Sequence, residues 1–222
     1  MADQKELIYV GDPMCSWCYG FAPTKTRLEE QCVGRAAVTL VVGGLHIDWT
    51  EPQDDARKEF LREHWLEIGQ RSGQPFMFDI LERDDFVYNT EASCRAAVTA
   101  REMEGQEVAL KFFTHLQSAF YADNADITQR NVLIDRAGGF GLDKDAFSEK
   151  WASPEMVKKT LSDFQFAQRL GVTGFPTIVV NDQYGYAYLT IGYQPYEQLA
   201  PVVEAWLEDR LDRSHPAQET TA

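Results

Sequence analysis

The sequence predicts an α/β fold: a mixed sheet flanked by helices, interrupted by a long all-helical insertion. Three observations predict it. A strand, a helix and a strand follow one another over residues 7–42; β signal nearly vanishes from about Thr50 to Ala152; and a helix, a β-hairpin and a last helix close the chain. At 222 residues the chain suits one large domain or a domain with an insertion. Hydrophobic residues at 44% and charged residues at 25% exclude disorder, and four cysteines are too few for a disulfide scaffold. A net charge of −14 repels phosphate backbones and anionic lipids, so neither nucleic acid nor membrane is an expected partner. The first residues lack the features of a secretory signal and no apolar run approaches ~18 residues, so the expectation is a soluble protein of a reducing cytoplasm.

Leu7-Ile-Tyr-Val10, stopped by Gly11-Asp12-Pro13, reads as a buried strand. From about Cys15 to Gln31 the period turns helical, with Phe21, Lys25, Leu28 and Cys32 on one stripe and Gly34 placed to end it. Ala37–Val42 reads as a second buried strand, which makes a βαβ unit. In the helical stretch, residues 51–71 carry Phe60, Leu61, Trp65 and Ile68 toward the inside. Residues 107–121 repeat Val108, Phe112, Phe113, Leu116 and Phe120 at three- and four-residue steps. Thr128, Asp143 and Ser153-Pro154 are placed to start the next three helices, the last ending at Gly171. Thr177–Val180, a turn over Asn181–Gly185 and Tyr186–Gly192 form a hairpin. Gln194-Pro195-Tyr-Glu197 opens a final helix with Leu199, Val202, Val203, Trp206 and Leu207 inside. The expected division is a discontinuous domain over residues 1–49 and 153–213, an inserted helical domain over 50–152, and a frayed tail from 214 to 222.

Cys15-Ser16-Trp17-Cys18 stands where the first strand hands over to the first helix. Three-residue spacing on a helical turn brings two cysteines within disulfide range. Unpaired backbone N–H groups and the helix dipole favour a thiolate at the first position, so Cys15 is the expected attacking thiol. Cys18, one turn in and shielded, suits the resolving role. The competing use of a C-x-x-C, half of a zinc site, lacks a second Cys/His pair: Cys32 and Cys94 are isolated and the four histidines are scattered, so no metal is expected. Gly174-Phe175-Pro176-Thr177 precedes a strand. Proline there is either an ordinary trans residue, the commoner case, or a cis bond that would leave the Phe175 carbonyl and N–H free to pair with an extended substrate.

The order of elements, with these two motifs, resembles the DsbA-like branch of thioredoxin-fold oxidoreductases. Asp12-Pro-Met-Cys-Ser-Trp-Cys-Tyr-Gly-Phe21 and Gly171-Val-Thr-Gly-Phe-Pro-Thr177 are similar to a cytoplasmic group of protein-disulfide isomerases related to the FrnE type. The resemblance covers nearly the whole chain. It implies a thioredoxin-like fold, Cys15 as nucleophile, Cys18 as resolving thiol and Pro176 as a cis-proline packed against the disulfide. No cofactor is then expected beyond the redox-active disulfide, glutathione being an optional cosubstrate, and the partners are protein thiols and disulfides or glutathione. Ser16-Trp17 differs from the dipeptides of periplasmic DsbA and of thioredoxin, which leaves the potential open.

Of the residues around the motif, Trp17 is expected at an exposed rim, touching substrate beside Ser16 and Phe175, while Tyr19 and Phe21 pack. Asp12 reads as turn chemistry, with proton transfer as the alternative; His46 and His64 read as polar surface. Asn89-Thr-Glu-Ala-Ser-Cys-Arg95 resembles a stretch of kappa-class glutathione transferases and chromene-carboxylate isomerases, with Cys94 where those carry His. The favoured reading is a capped helix start with Cys94 buried beside Ala97 and Val98, and Cys32 likewise in the core. The expected function is thiol–disulfide exchange. The alternatives are a glutathione-dependent transferase or isomerase on the same fold, or a non-enzymatic zinc-holding or chaperone-like module.

Overall fold

A computed structural model describes residues 5–211. Strand β1 (Glu6–Gly11) leads into helix α1 (Ser16–Cys32) and strand β2 (Ala37–Val42). Five helices follow: α2 (Asp55–Ser72), α3 (Glu91–Glu104), α4 (Gln106–Tyr121), α5 (Arg130–Phe140) and α6 (Lys144–Trp151), with a 3₁₀ turn at Asp79–Glu82. Helix α7 (Pro154–Leu170), strands β3 (Thr177–Asp182) and β4 (Gly185–Ile191), and α8 (Tyr196–Leu207) complete the described chain. The four strands lie in the order β2-β1-β3-β4, with β1 and β2 parallel and the other pairs antiparallel. This mixed sheet flanked by helices is a thioredoxin-like fold.

Alternation along β1 sorts its side chains between two faces. Leu7 and Tyr9 turn toward a core shared with Phe21, Leu28 and Cys32 of α1, Phe113 of α4, and Val203 and Trp206 of α8. Ile8 and Val10 turn the other way, against Val41, Val179 and Ala167 of α7. Among the intervening helices a third cluster gathers Trp65, Phe112, Phe120, Tyr121 and Phe147, and it also takes in Met14 and Tyr19. The turn between them is thus anchored in the helical core on both sides.

Several local expectations change. The hairpin turn is shorter than Asn181–Gly185, because pairing continues to Asp182 opposite Gly185 and leaves Gln183 and Tyr184 as the turn. Thr128 does not cap α5: its hydroxyl donates to Asp126, a stronger acceptor than a neutral hydroxyl, and Gln129 is the capping position. Asp143 and Ser153 do cap their helices. Phe60 is 51% exposed, since only Leu61, Trp65 and Ile68 of that helix point inward. Val202 on α8 is half-buried, not fully inside. The expected tail at 214–222 lies outside the described residues.

Candidate active site

Cys15 is the N-cap of α1, with extended backbone angles (φ −86°, ψ 116°). It fills the place that Ser, Thr or Asp usually takes: its Sγ accepts the Cys18 N–H at 3.3 Å, satisfying one donor of the helix's first turn. Asp12 builds the turn before it. Its carboxylate accepts the N–H of Met14 at 2.8 Å and that of Leu45 at 2.7 Å, while its carbonyl accepts the Cys15 N–H at 3.0 Å. The Met14 carbonyl is held in turn by the hydroxyls of Tyr88 at 2.5 Å and Tyr121 at 2.6 Å. A bond network from α4 and the loop before α3 therefore fixes the peptide that joins Met14 to the cap.

Both thiols are free. Cys15 retains 5% exposure and Cys18 none, so a disulfide arriving from outside meets Cys15 first. Burial, and then the neighbouring Cys15, push the Cys18 thiol well above its ordinary range, which keeps it protonated at rest. Ser16 is also buried, so of the three expected substrate contacts it is the least available.

The loop before β3 closes the other side. The Phe175–Pro176 peptide is cis. Cys15 Sγ lies 3.8 Å from the Phe175 carbonyl oxygen. Thr177 Oγ1 donates to the Gly174 carbonyl at 2.7 Å, and the Gly192 N–H donates to the Pro176 carbonyl at 2.7 Å, which ties the loop to β4. The Phe175 ring rests on the end of β2: a Cβ added to Gly43 would fall 2.0 Å from it. The loop before β3 thus meets Cys15 from a distant part of the sequence.

Trp17 is half-buried rather than standing free at a rim. Tyr193 (5.4 Å between ring centroids), His64 (5.7 Å) and the Arg71 guanidinium (5.0 Å) enclose it. His64 is therefore part of an aromatic wall, stacked on Phe60 at 5.7 Å, and burial lowers its pKa. His46 is likewise only half-buried and not a free surface group: it stacks on Trp49 at 3.6 Å, and burial brings its pKa down to about 4. Tyr19 and Phe21 pack inside as expected.

Cys94 is fully buried in α3, and its thiol also donates to Asp12 at 3.3 Å. Burial raises the Asp12 carboxyl despite the donors it holds, and it raises Cys94 strongly. Asp12 is thus both a turn residue and a bridge between three segments. Cys32 sits in the core, its thiol pushed up to about 11 by burial. Among the described residues no three His, Cys, Asp or Glu side chains converge as a metal site, and no helix there is long and apolar enough to cross a membrane. Tyr88, Tyr121, Arg71 and Tyr193 are the site's neighbours that the sequence did not single out; their spacing along the chain carries no signal of it.

A thioredoxin family model matches residues 8–200. The fold superposes on a candidate protein disulfide isomerase from Nitrosomonas europaea with a TM-score of 0.86 and 32% identity, covering 93% of this chain and 98% of that one. It also superposes on the cytosolic disulfide reductase DsbM from Pseudomonas aeruginosa, with a TM-score of 0.76 and 27% identity over 91% and 98% of the two chains. DsbM is known in a second structure with GSH. Among curated proteins, the ClpXP adapter protein SpxH of Bacillus subtilis is 24% identical over 173 residues, 78% of this chain. The match spans only 57% of that relative's length.

Proposed function

This chain belongs to the thioredoxin family matched over residues 8–200, and from that premise we propose that it is a thiol–disulfide oxidoreductase working through Cys15 and Cys18. Its fold is that of DsbA-like oxidoreductases. One observation carries the reading: Cys15 Sγ sits at the helix N-terminus, accepts the Cys18 N–H at 3.3 Å and lies beside the Phe175 carbonyl. An attacking thiol, a resolving thiol one turn deeper and the Phe175 backbone edge that an extended substrate could pair with are then in one place.

The Cys15 thiolate attacks one sulfur of a substrate disulfide, forms a mixed disulfide and releases the first substrate thiolate. Cys18 then attacks Cys15 Sγ; the bond to the substrate breaks, the second substrate sulfur leaves, and the proton of Cys18 ends on the released thiols. The reverse sequence oxidises a dithiol. We assign the reducing and isomerising direction, in a cytoplasm, on protein disulfides or glutathione mixed disulfides, with glutathione as reductant. The cytosolic disulfide reductase similar to it, and that protein's structure with GSH, support this assignment. A couple ~60 mV more oxidising than the glutathione pool would stay about a hundredfold in the dithiol form.

Insulin reduction by the wild type and by Cys15→Ser tests the reading; equal rates would overturn it. A glutathione transferase on this fold would instead keep its conjugation activity after Cys18→Ser. The name of the Bacillus relative favours one further reading, an adapter that delivers a protein to a protease. Delivery that survives replacement of both Cys15 and Cys18 would favour that role over exchange.

A further inference from the structure

The resolving step asks a buried thiol to become an anion. Cys18 is fully enclosed, and at rest burial holds it as a thiol. A charge created there is costly unless a donor is already in place. The structure places a group of the right chemistry beneath it. Tyr9 is completely buried on the face of β1 that packs against α1, its ring stacked on Phe21 at 6.2 Å and edge-on to Phe113 at 5.5 Å. These two rings fix the phenol's direction along the strand, toward the end where the chain turns to Cys15.

Gly11 makes room for the hydroxyl. It is on the same face as Tyr9, two residues on, and any Cβ there would lie 2.7 Å from the Tyr9 oxygen. Tyr9 and Cys18 are near enough for each to shift the other's proton affinity, yet the hydroxyl makes no hydrogen bond of good geometry to any described residue. A buried polar atom left unpaired in the resting state calls for a reason.

We propose that Tyr9 donates a hydrogen bond to Cys18 as it becomes a thiolate, and so stabilises the attack that resolves the mixed disulfide. The inference rests on the exchange reading above. Tyr9 gives up no proton: the Cys18 sulfur bonds to Cys15 Sγ, the Cys15–substrate bond breaks, and the proton of Cys18 leaves on the substrate thiol. Burial raises the phenol's own pKa well above its ordinary value, so it remains a donor throughout the working pH range. The Asp12 backbone near the same sulfur works against burial, lowering the thiol's pKa. Tyr9 thus acts on the second chemical step, leaving the first to the helix N-terminus.

The test is a single-turnover reaction of the reduced full chain with a glutathione disulfide, quenched in acid and resolved by mass into free, mixed-disulfide and oxidised protein. In Tyr9→Phe the mixed disulfide should form at the wild-type rate and resolve about ten- to a hundredfold more slowly, the worth of a hydrogen bond to a charged group. The pH midpoint of resolution should rise in the same variant. The ratio of the two rates within one sample is independent of how much of it folds. Resolution at the wild-type rate, or equal slowing of both steps, would overturn the role of Tyr9 alone. A wild type that never forms the mixed disulfide would overturn the exchange reading on which it rests.

Discussion

Helix α1 carries a cysteine at each end, and the two ends treat it differently. At the start, Cys15 caps the helix, receives the Cys18 N–H and has no acidic residue in the first turn beside it. At the finish, Cys32 lies in the last turn, where the Arg35 and Ala36 N–H groups are drawn to its own carbonyl; burial raises its thiol to about 11, with the Arg35 charge pulling it down and the carboxylates of Glu29 and Glu204 pushing it up. Both are buried, at 5% and 0% exposure, so burial does not separate them. What separates them is the end of the helix each stands at: the Cys18 N–H and the positive dipole end meet the Cys15 sulfur, which also lies beside the Phe175 carbonyl, whereas Cys32 lies at the negative end. A cysteine's chemistry in this chain follows its place on the helix more than its depth.

Exchanging the residue at either end gives the largest contrast. Cys15→Ser should bring disulfide reduction down to background, whereas Cys32→Ser should retain it, as measured by insulin reduction; loss of activity at Cys32 would break the comparison. Alkylation reads the same contrast in the wild type. With its thiol at about 11, Cys32 holds about one thiolate in a thousand at pH 8. A thiol reagent should therefore label Cys15 in the native protein, and reach Cys32 and the fully buried Cys94 only after denaturation, as located by peptide mass.

Much of this contrast is readable without coordinates. The stripe Phe21, Lys25, Leu28 and Cys32 is a local period, and the strand-to-helix handover at Cys15 is a local motif, so both ends of α1 and the order of elements are legible. The long-range pieces are not. Nothing in the spacing of Asp12 and Cys94, 82 residues apart, marks their contact. The enclosure of Trp17 depends on α2 and the segment after β4, and the clamp on Met14 depends on α4. A charged helix such as α2 reads as a solvated face, which hides His64, stacked on Phe60 and edge-on to Trp17. Periodicity reports which face is buried, not which partner buries it.

Effects on packing come next in size. Gly43→Ala places a methyl where the Phe175 ring lies, 2.0 Å away, so the ring must move off the end of β2. Forcing a methyl into a filled site costs about 1–3 kcal/mol. The midpoint of urea unfolding should fall accordingly, and KM for a protein disulfide should rise more than kcat falls if Phe175 lines the substrate edge. At the other end of α1, Cys32→Ala removes only a small buried group. It should cost about 1 kcal/mol in the same unfolding assay and leave KM unchanged. A KM shift at Cys32 would mean that the two ends of the helix communicate.

Between the two ends stands Lys25, which is 3% exposed, bonded to Glu29 and to the Leu110 carbonyl at 3.3 Å. Burial is the larger influence on it and lowers its pKa below 10.5, although Glu29 pulls the other way. The folded chain then releases this proton more readily than the unfolded chain, so across the window just below 10.5 the unfolded state binds more protons and stability rises with pH. Lys25→Met fills the same space with no charge to bury, but leaves the part-exposed Glu29 carboxylate and the Leu110 carbonyl without their partner. The variant should be less stable than the wild type at neutral pH, because Glu29 loses its partner, and should lack the wild type's gain on approach to pH 10. Denaturant unfolding of both proteins at a series of pH values gives the difference directly, free of the tyrosines and cysteines that titrate in each. If the two curves run parallel, the middle of α1 tolerates its charge as well as water does, and the contrast between the helix ends rests on their termini alone.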